Sequence, residues 1–130
     1  MKIIIPLPPI TKKNSQEIHV NRRTGKRFVA PSQKFKEYQN NAGIFIKRAI
    51  GNGEHIEFPA NVKCLFYMPT KRRVDLVNLL ESIDDVLTYY GVIPDDSAQF
   101  VGAHDGSRVF YDKDNPRTEI YILPLETKNA

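Results

Sequence analysis

Six carboxylates fall between residues 75 and 96 of a chain whose formal charge is +4. Asp75, Glu81, Asp84 and Asp85 lie in 74-VDLVNLLESIDDVL-87, and Asp95 and Asp96 follow in 94-PDDS-97. The basic run 71-KRR-73 stands directly before them. Hard divalent cations take carboxylate oxygens and water, and one or two protein carboxylates suffice when phosphate supplies the rest. Such a cation polarises a phosphoryl oxygen and lowers the pKa of its water, while nearby Lys and Arg hold a phosphate backbone. The pattern therefore permits metal-assisted phosphodiester chemistry. The same acids also suit a helix start that favours the macrodipole, with no metal involved.

Other chemistries find less support. His19, His55 and His104 lack the spacing of zinc ligands. The segment 24-TGK-26 is too short for a phosphate-binding loop, and no serine lies in a nucleophile elbow. Cys64, the single cysteine, sits in an alternating apolar run and reads as core. It allows no internal disulfide, which points to a reducing cytoplasm.

The elements that must position these acids follow from periodicity. The opening 2-KIIIPLPP-9 reads as a short strand limited by its prolines. Residues 17–20 and 27–30 form a hairpin around 21-NRRTGK-26, with Gly25 in the turn and a basic tip. Ser32 is a candidate N-cap for a first helix ended by Gly51, with Phe35, Tyr38, Ala42, Phe45, Ile46 and Ala49 on its core face. Residues 61–68 alternate as a half-buried strand. Asp75 is the expected N-cap of a second helix that stops before Gly91, with Leu76, Leu79, Leu80, Ile83, Val86 or Leu87, and Tyr90 in its buried stripe. Residues 99–111 and 118–124 read as two last strands joined by the turn-rich 112-DKDNPR-117. This order predicts a single α+β domain over 1–124, a mixed β-sheet with two main helices packed on it, and a frayed tail at 125–130.

At about 100° per residue, Asn78, Glu81 and Asp85 share one ridge of the second helix. Asp84 falls on the other flank with Val77 and Thr88. The pair 84-DD-85 thus splits into one inward-looking and one exposed acid, with Asp84 expected to be a bystander.

Composition sets the remaining bounds. With 130 residues, 41% hydrophobic and 26% charged, the chain is an ordinary globular sequence. Apolar runs such as 3-III-5 are too short to cross a bilayer, and no signal-peptide pattern opens the chain. Charge is polarised: residues 1–73 carry 15 Lys and Arg against 4 Asp and Glu, and residues 74–130 carry 4 against 11. That asymmetry fits a polyanionic partner for the first part and cations for the second, or two solvated faces that attract each other on folding.

Basic residues, then 75-DLVNLLESIDDVL-87, then 91-GVIPDDS-97 resemble the signature region of the RusA-type Holliday-junction resolvases. The start 6-PLPPITKKNSQ-16 is similar to the family's Pro-containing first strand and basic loop, and 116-PRTEIYI-122 is similar to its last strand. The resemblance implies a small homodimeric endonuclease, often phage- or prophage-encoded. Such an enzyme would depend on Mg²⁺, with Mn²⁺ a possible substitute, and would cut four-way DNA junctions in DNA recombination and repair. It implies no small-molecule cofactor and no membrane.

Position by position, Asp75 matches the family's first essential acid, and Asp96 the acid of the Asp pair on which it relies most. Asp95 is that acid's neighbour, Asn78 the motif's Asn, and Asp85 an acid on the same helix. Catalysis is then expected from Asp75, Asp96, Asp85 and Asn78, and metal binding from Asp75, Asp96, Asp85, Asp95 and Glu81. Two positions depart from the pattern. The usual D-x-D-N reads 75-DLVN-78, so Val77 stands where a second acid is expected, and Glu81 replaces a common Lys. Glu81, one turn further on, is expected to restore part of the missing charge. The alternative is a protein of the same fold that binds branched DNA with weak or no cleavage. Lys12, Lys13 and Asn14, then Arg22, Arg23 and Lys26, then Lys71, Arg72 and Arg73 are the expected DNA contacts. Such contacts position DNA without reading its sequence.

Overall fold

The computed structural model describes residues 1–12, 16–31, 33–51 and 55–125, the side chains of 16, 17 and 29–31 excepted. Its elements run β1 (Lys2–Ile5), β2 (Gln16–Val20), β3 (Arg27–Pro31), α1 (Gln33–Ile50), β4 (Ala60–Met68), α2 (Leu76–Tyr89), β5 (Val101–Ala103), β6 (Arg108–Tyr111) and β7 (Arg117–Pro124). The result is the expected α+β fold, a mixed sheet with two helices. The expected N-cap Ser32 lies outside the described residues. So do 126–130 of the expected tail, while the Leu125 amide donates to the Pro59 carbonyl at 3.1 Å.

The main sheet runs β1-β7-β4-β5, with β6 also on β4. β1 and β4 both flank β7 antiparallel, whereas β5 and β6 pair with β4 in parallel. Alternation along β4 and β7 sends Val62, Cys64, Phe66, Ile120 and Ile122 to one face, where Ile3 and Ile5 of β1 join them, all 2% exposed or less. Both helices pack there: Phe35, Tyr38, Ala42 and Ile46 of α1 and Leu79, Ile83, Val86 and Leu87 of α2 complete the core. Fully burying one such side chain contributes about 1.5–3 kcal/mol, so this face carries the fold. Ala49, placed in the α1 stripe by periodicity, is exposed. Burial also holds the Tyr38 hydroxyl up at about 12 and pushes the Cys64 thiol up.

The two helices meet through a glycine. A Cβ on Gly43 of α1 would overlap the Tyr90 ring, whose hydroxyl donates to the Gln39 carbonyl at 2.6 Å. Tyr90 thereby fixes the C-terminal end of α2 against α1.

One expected strand is in fact two. Residues 99–111 follow one edge of β4, but the run breaks at 104–107 between β5 and β6. The β4 backbone groups left open by the break are met by side chains: His104 Nδ1 donates to Val62 O at 2.7 Å, and Ser107 Oγ accepts from Cys64 N at 3.0 Å. Asn61 secures the same excursion by exchanging hydrogen bonds with Asp105 N and O at 2.7 and 3.1 Å. Side chains thus replace the missing ladder, which keeps buried peptide groups satisfied.

β2 and β3 form a separate two-stranded ribbon, paired from Gln16↔Pro31 to Val20↔Arg27. Its turn uses Gly25 at φ 71°, a left-handed conformation that glycine adopts without strain.

Candidate active site

Asp75 occupies the N-cap position of α2 with extended backbone, but its side chain does not cap a helix N–H. Instead Asp75 Oδ2 accepts from the Asn78 amide at 3.3 Å. The carboxylate stays exposed, and among the described residues its other oxygen has no hydrogen-bond partner. Asn78 is 9% exposed, held down beside Ser82. The Ser82 hydroxyl donates to Asn78 O at 3.0 Å and accepts from Lys12 N at 2.7 Å, so the first loop is tied to this flank of α2.

Val77 is 65% exposed, so the position buries little apolar surface and the fold does not require valine there. Glu81 is exposed as well and, among the described residues, makes no ion pair. Residues four apart on a helix are surface neighbours, which puts Glu81 beside the missing acid's position.

Asp85 is half-exposed and pairs with Lys12 Nζ at 3.1 Å. This contact engages two expected functional groups with each other, a DNA contact and a supporting acid. An exposed pair of this kind contributes about 0.2–1 kcal/mol and exchanges readily for another partner. It borders a cleft of about 420 Å³ that Phe35, Gln39, Thr88 and Tyr89 also line.

Asp84 is no bystander. It is 8% exposed, and its Oδ2 lies 2.9 Å from His104 Nε2. Since Val62 O can only accept, His104 Nδ1 carries a proton. The contact at Nε2 therefore shares one further proton between imidazole and carboxyl. Burial raises Asp84 above the ordinary carboxylate range, the His104 hydrogen bond opposes that, and the charges of Asp96 and Asp85 add to the rise. The bond to Asp84 is in turn the main reason that His104 is raised, against its own burial. Asp84 Oδ1 is buried without a hydrogen-bond partner among the described residues. Helical angle alone misses this pair because its partner comes from the break in the β4 edge, more than a turn of sequence away.

The second acidic segment is fixed at its base. Gly91 at φ 73° ends α2 with Gly91 N bonded to Thr88 O and Val92 N to Leu87 O, a Schellman closure. Val92 and Ile93 are fully buried, so the loop leaves the core from a rigid root. Asp95 Oδ1 accepts from Ser97 N at 2.8 Å, and the Ser97 bonds lower its pKa. Asp95 therefore shapes the turn. Asp96 is exposed and makes no hydrogen bond among the described residues, and its charge is felt at Asp84.

The basic groups surround this acid-bearing edge unevenly. Lys71, Arg72 and Arg73 are exposed just before Asp75, with Lys71 Nζ 5.1 Å from the centre of the Tyr111 ring. Arg22, Arg23 and Lys26 are exposed at the ribbon tip. Lys13 and Asn14 lie outside the described residues.

Among the described residues, no three His, Cys, Asp or Glu side chains gather closely enough to hold a metal ion. The donors on offer are oxygen carboxylates, which suit Mg²⁺, and that ion needs only one or two of them when phosphate and water fill its other positions. Asp75, Asp96 and Glu81 fit this requirement, being exposed and without an ion pair among the described residues.

A mixed sheet with both helices on one face, the second starting at an exposed carboxylate close to three exposed cations, defines a small α+β protein. The family model for Endodeoxyribonuclease RusA matches residues 6–123, and the chain belongs to the RusA endodeoxyribonuclease family. The family comprises Holliday-junction-resolving endonucleases that bind branched DNA and generally depend on a divalent metal. None of the curated proteins matches the chain. No helix among the described residues is long and apolar enough to cross a membrane.

Proposed function

We propose that the protein is a Mg²⁺-dependent, structure-selective endonuclease that resolves four-way DNA junctions by paired phosphodiester hydrolysis. The observation that carries this reading is the Asp75 carboxylate, exposed at the start of α2 without capping it, one residue beyond the exposed run Lys71, Arg72 and Arg73. Asp75 and Asp96 would hold the metal, with Asp85 in support once Lys12 releases it and Glu81 replacing charge lost at Val77. When bound, Mg²⁺ supplies polarisation of the phosphoryl oxygen and an activated water. Mn²⁺ would serve in its place.

The chain's own residues do the rest. Asn78 donates to Asp75 and fixes the orientation of its carboxylate. Lys71, Arg72 and Arg73 hold the phosphates on either side of the scissile bond, and Arg22, Arg23 and Lys26 take a more distant part of the backbone. Lys12 moves between Asp85 and phosphate. A two-fold homodimer would present two such sites to a substrate that itself has two-fold symmetry.

A second reading is favoured by Val77: a protein of this fold that binds branched DNA without cutting it. The test is a gel shift of a four-way junction against linear duplex in EDTA, followed by addition of Mg²⁺. Junction preference and paired nicks are expected. Equal affinity for both DNAs would remove both readings, and binding without nicks in Mg²⁺ or Mn²⁺ would leave only the second.

A further inference from the structure

Both helices cover one face of the main sheet, and the other face carries a different chemistry. Strand register places Lys2, Tyr121 and Lys63 side by side across β1, β7 and β4. Two residues along, Arg108 of β6 enters the row through Leu65. In the next row Arg117, Tyr67 and Phe110 stand together. Successive rows are about 7 Å apart along the strands.

The rings in these rows are held close to cations. Lys2 and Lys63 Nζ each lie 5.6 Å from the Tyr121 ring centre, and Arg108 lies 5.0 Å from that of Phe110. Phe110 stacks on Tyr67 at 5.0 Å, and the Arg117 guanidinium sits 3.7 Å from the Tyr67 centre. Arg117 is neutralised by Asp112 and Glu119 at 3.0 and 2.7 Å. Lys2, Lys63 and Arg108 make no ion pair among the described residues. The face therefore presents three cations outside any ion pair among the described residues, interleaved with three half-buried rings, and one carboxylate, Glu119 between Ile4 and Leu65, which the charge of Lys2 helps to keep ionised.

A second copy docked on this face would bring like charges together, and a like-charge juxtaposition is unfavourable. A DNA duplex would use the cations but leave the rings idle, since its bases stack on one another. An unpaired strand uses both groups, because every base has a flat face to stack and every step a phosphate. We propose that this open sheet face binds a single DNA strand, with phosphates on Lys2, Lys63 and Arg108 and bases against Phe110 and Tyr121. The proposal rests on the DNA-processing reading but uses no residue of α2.

The test is fluorescence anisotropy in EDTA with a labelled oligothymidylate of about twenty nucleotides, a length that exceeds common single-strand site sizes. The variant Lys2→Gln/Lys63→Gln/Arg108→Gln is compared with Lys34→Gln/Lys47→Gln/Arg48→Gln, which removes the same charge from α1. The sheet variant is expected to lose at least tenfold in affinity, and its log–log salt slope should fall by about 2, near 0.7 for each lost phosphate contact. Phe110→Leu should weaken binding and leave that slope unchanged. Absence of wild-type binding, equal losses in the two triple variants, or an unchanged Phe110→Leu would overturn the proposal. So would a sheet variant that turns from dimer to monomer in sedimentation yet still binds the oligomer. Junction nicking in Mg²⁺ is scored separately, so an inactive nuclease and an idle sheet face give different results.

Discussion

Asp75 and Asp84 stand nine residues apart around one helix, and the fold treats them in opposite ways. Asp75 is exposed, with one oxygen on Asn78 and the other uncommitted among the described residues. Asp84 is buried, bonded to His104 and raised by desolvation. The first can accept a new cationic partner at little cost. The second already has its partner, and through it joins α2 to the edge of β4. On the proposed function, identical residues thus divide into a ligand and a fastener, and burial decides which is which.

The largest effect should come from the ligand end. Asp75→Asn and Asp96→Asn should each lower junction cleavage in Mg²⁺ by on the order of 10²-fold or more, since even groups one step removed from a metal cost 10–100-fold. Junction binding in EDTA should stay within about twofold of wild type, a difference well under one 1.4 kcal/mol decade. A parallel loss of binding would mean that these acids act through the fold. Glu81→Ala should reduce cleavage less than Asp75→Asn does, and Val77→Asp should raise it. Unchanged rates in Glu81→Ala would end the idea that Glu81 compensates for Val77.

At the fastener end the readout is stability. His104→Leu leaves Asp84 buried without a partner and should lower unfolding stability by about 1–3 kcal/mol in a denaturant titration. The pair also has a pH signature. His104 is raised by its bond to Asp84, so its contribution is complete below the unfolded value near 6.5 and is lost as pH rises through the folded value. The raised Asp84 works in the same direction, because the folded state holds its proton more tightly. The carboxylates of Asp95, Asp112 and Glu119 are lowered and act at acid pH instead. Melting temperature should therefore decline above about pH 6.5 in wild type, and the decline should flatten in the double variant Asp84→Leu/His104→Leu, which removes both titrating groups. Parallel profiles would show that the pair does not titrate as one unit.

Two smaller effects sharpen the contrast. Gly43→Ala should cost about 1–3 kcal/mol by forcing Tyr90 off α1, without involving either acid. Lys12→Ala should change stability by no more than about 1 kcal/mol, because its pair with Asp85 is half-exposed.

The sequence reveals this division only in part, and the reason is physical. Strong periodicity makes both helices, the ribbon and β4 legible, because a single buried stripe dominates each. Asp75, Val77 and Asp96 are singled out as candidates by the ordered motif around them. Asp84 is not, because the buried arc of α2 is wider than its apolar stripe. It extends from Asn78 and Ser82, covered by the first loop, round to Asp84, covered by His104. Both covers come from distant chain segments and leave no periodic trace in residues 75–90. The split of 99–111 is hidden for the same reason. His104 and Ser107 look like loop residues until β4 supplies the backbone groups that they satisfy.

The account is tested most directly by Asp75→Asn and Asp84→Leu side by side, in junction cleavage with Mg²⁺ and in thermal melting. Asp75→Asn is predicted to bind the junction and melt like wild type but leave the DNA uncut. Asp84→Leu, which leaves His104 Nε2 without its partner, is predicted to cut at wild-type rate below its melting range and to unfold at a lower temperature. Full cleavage by Asp75→Asn, or lost cleavage in a fully folded Asp84→Leu, would contradict the assignment of ligand and fastener.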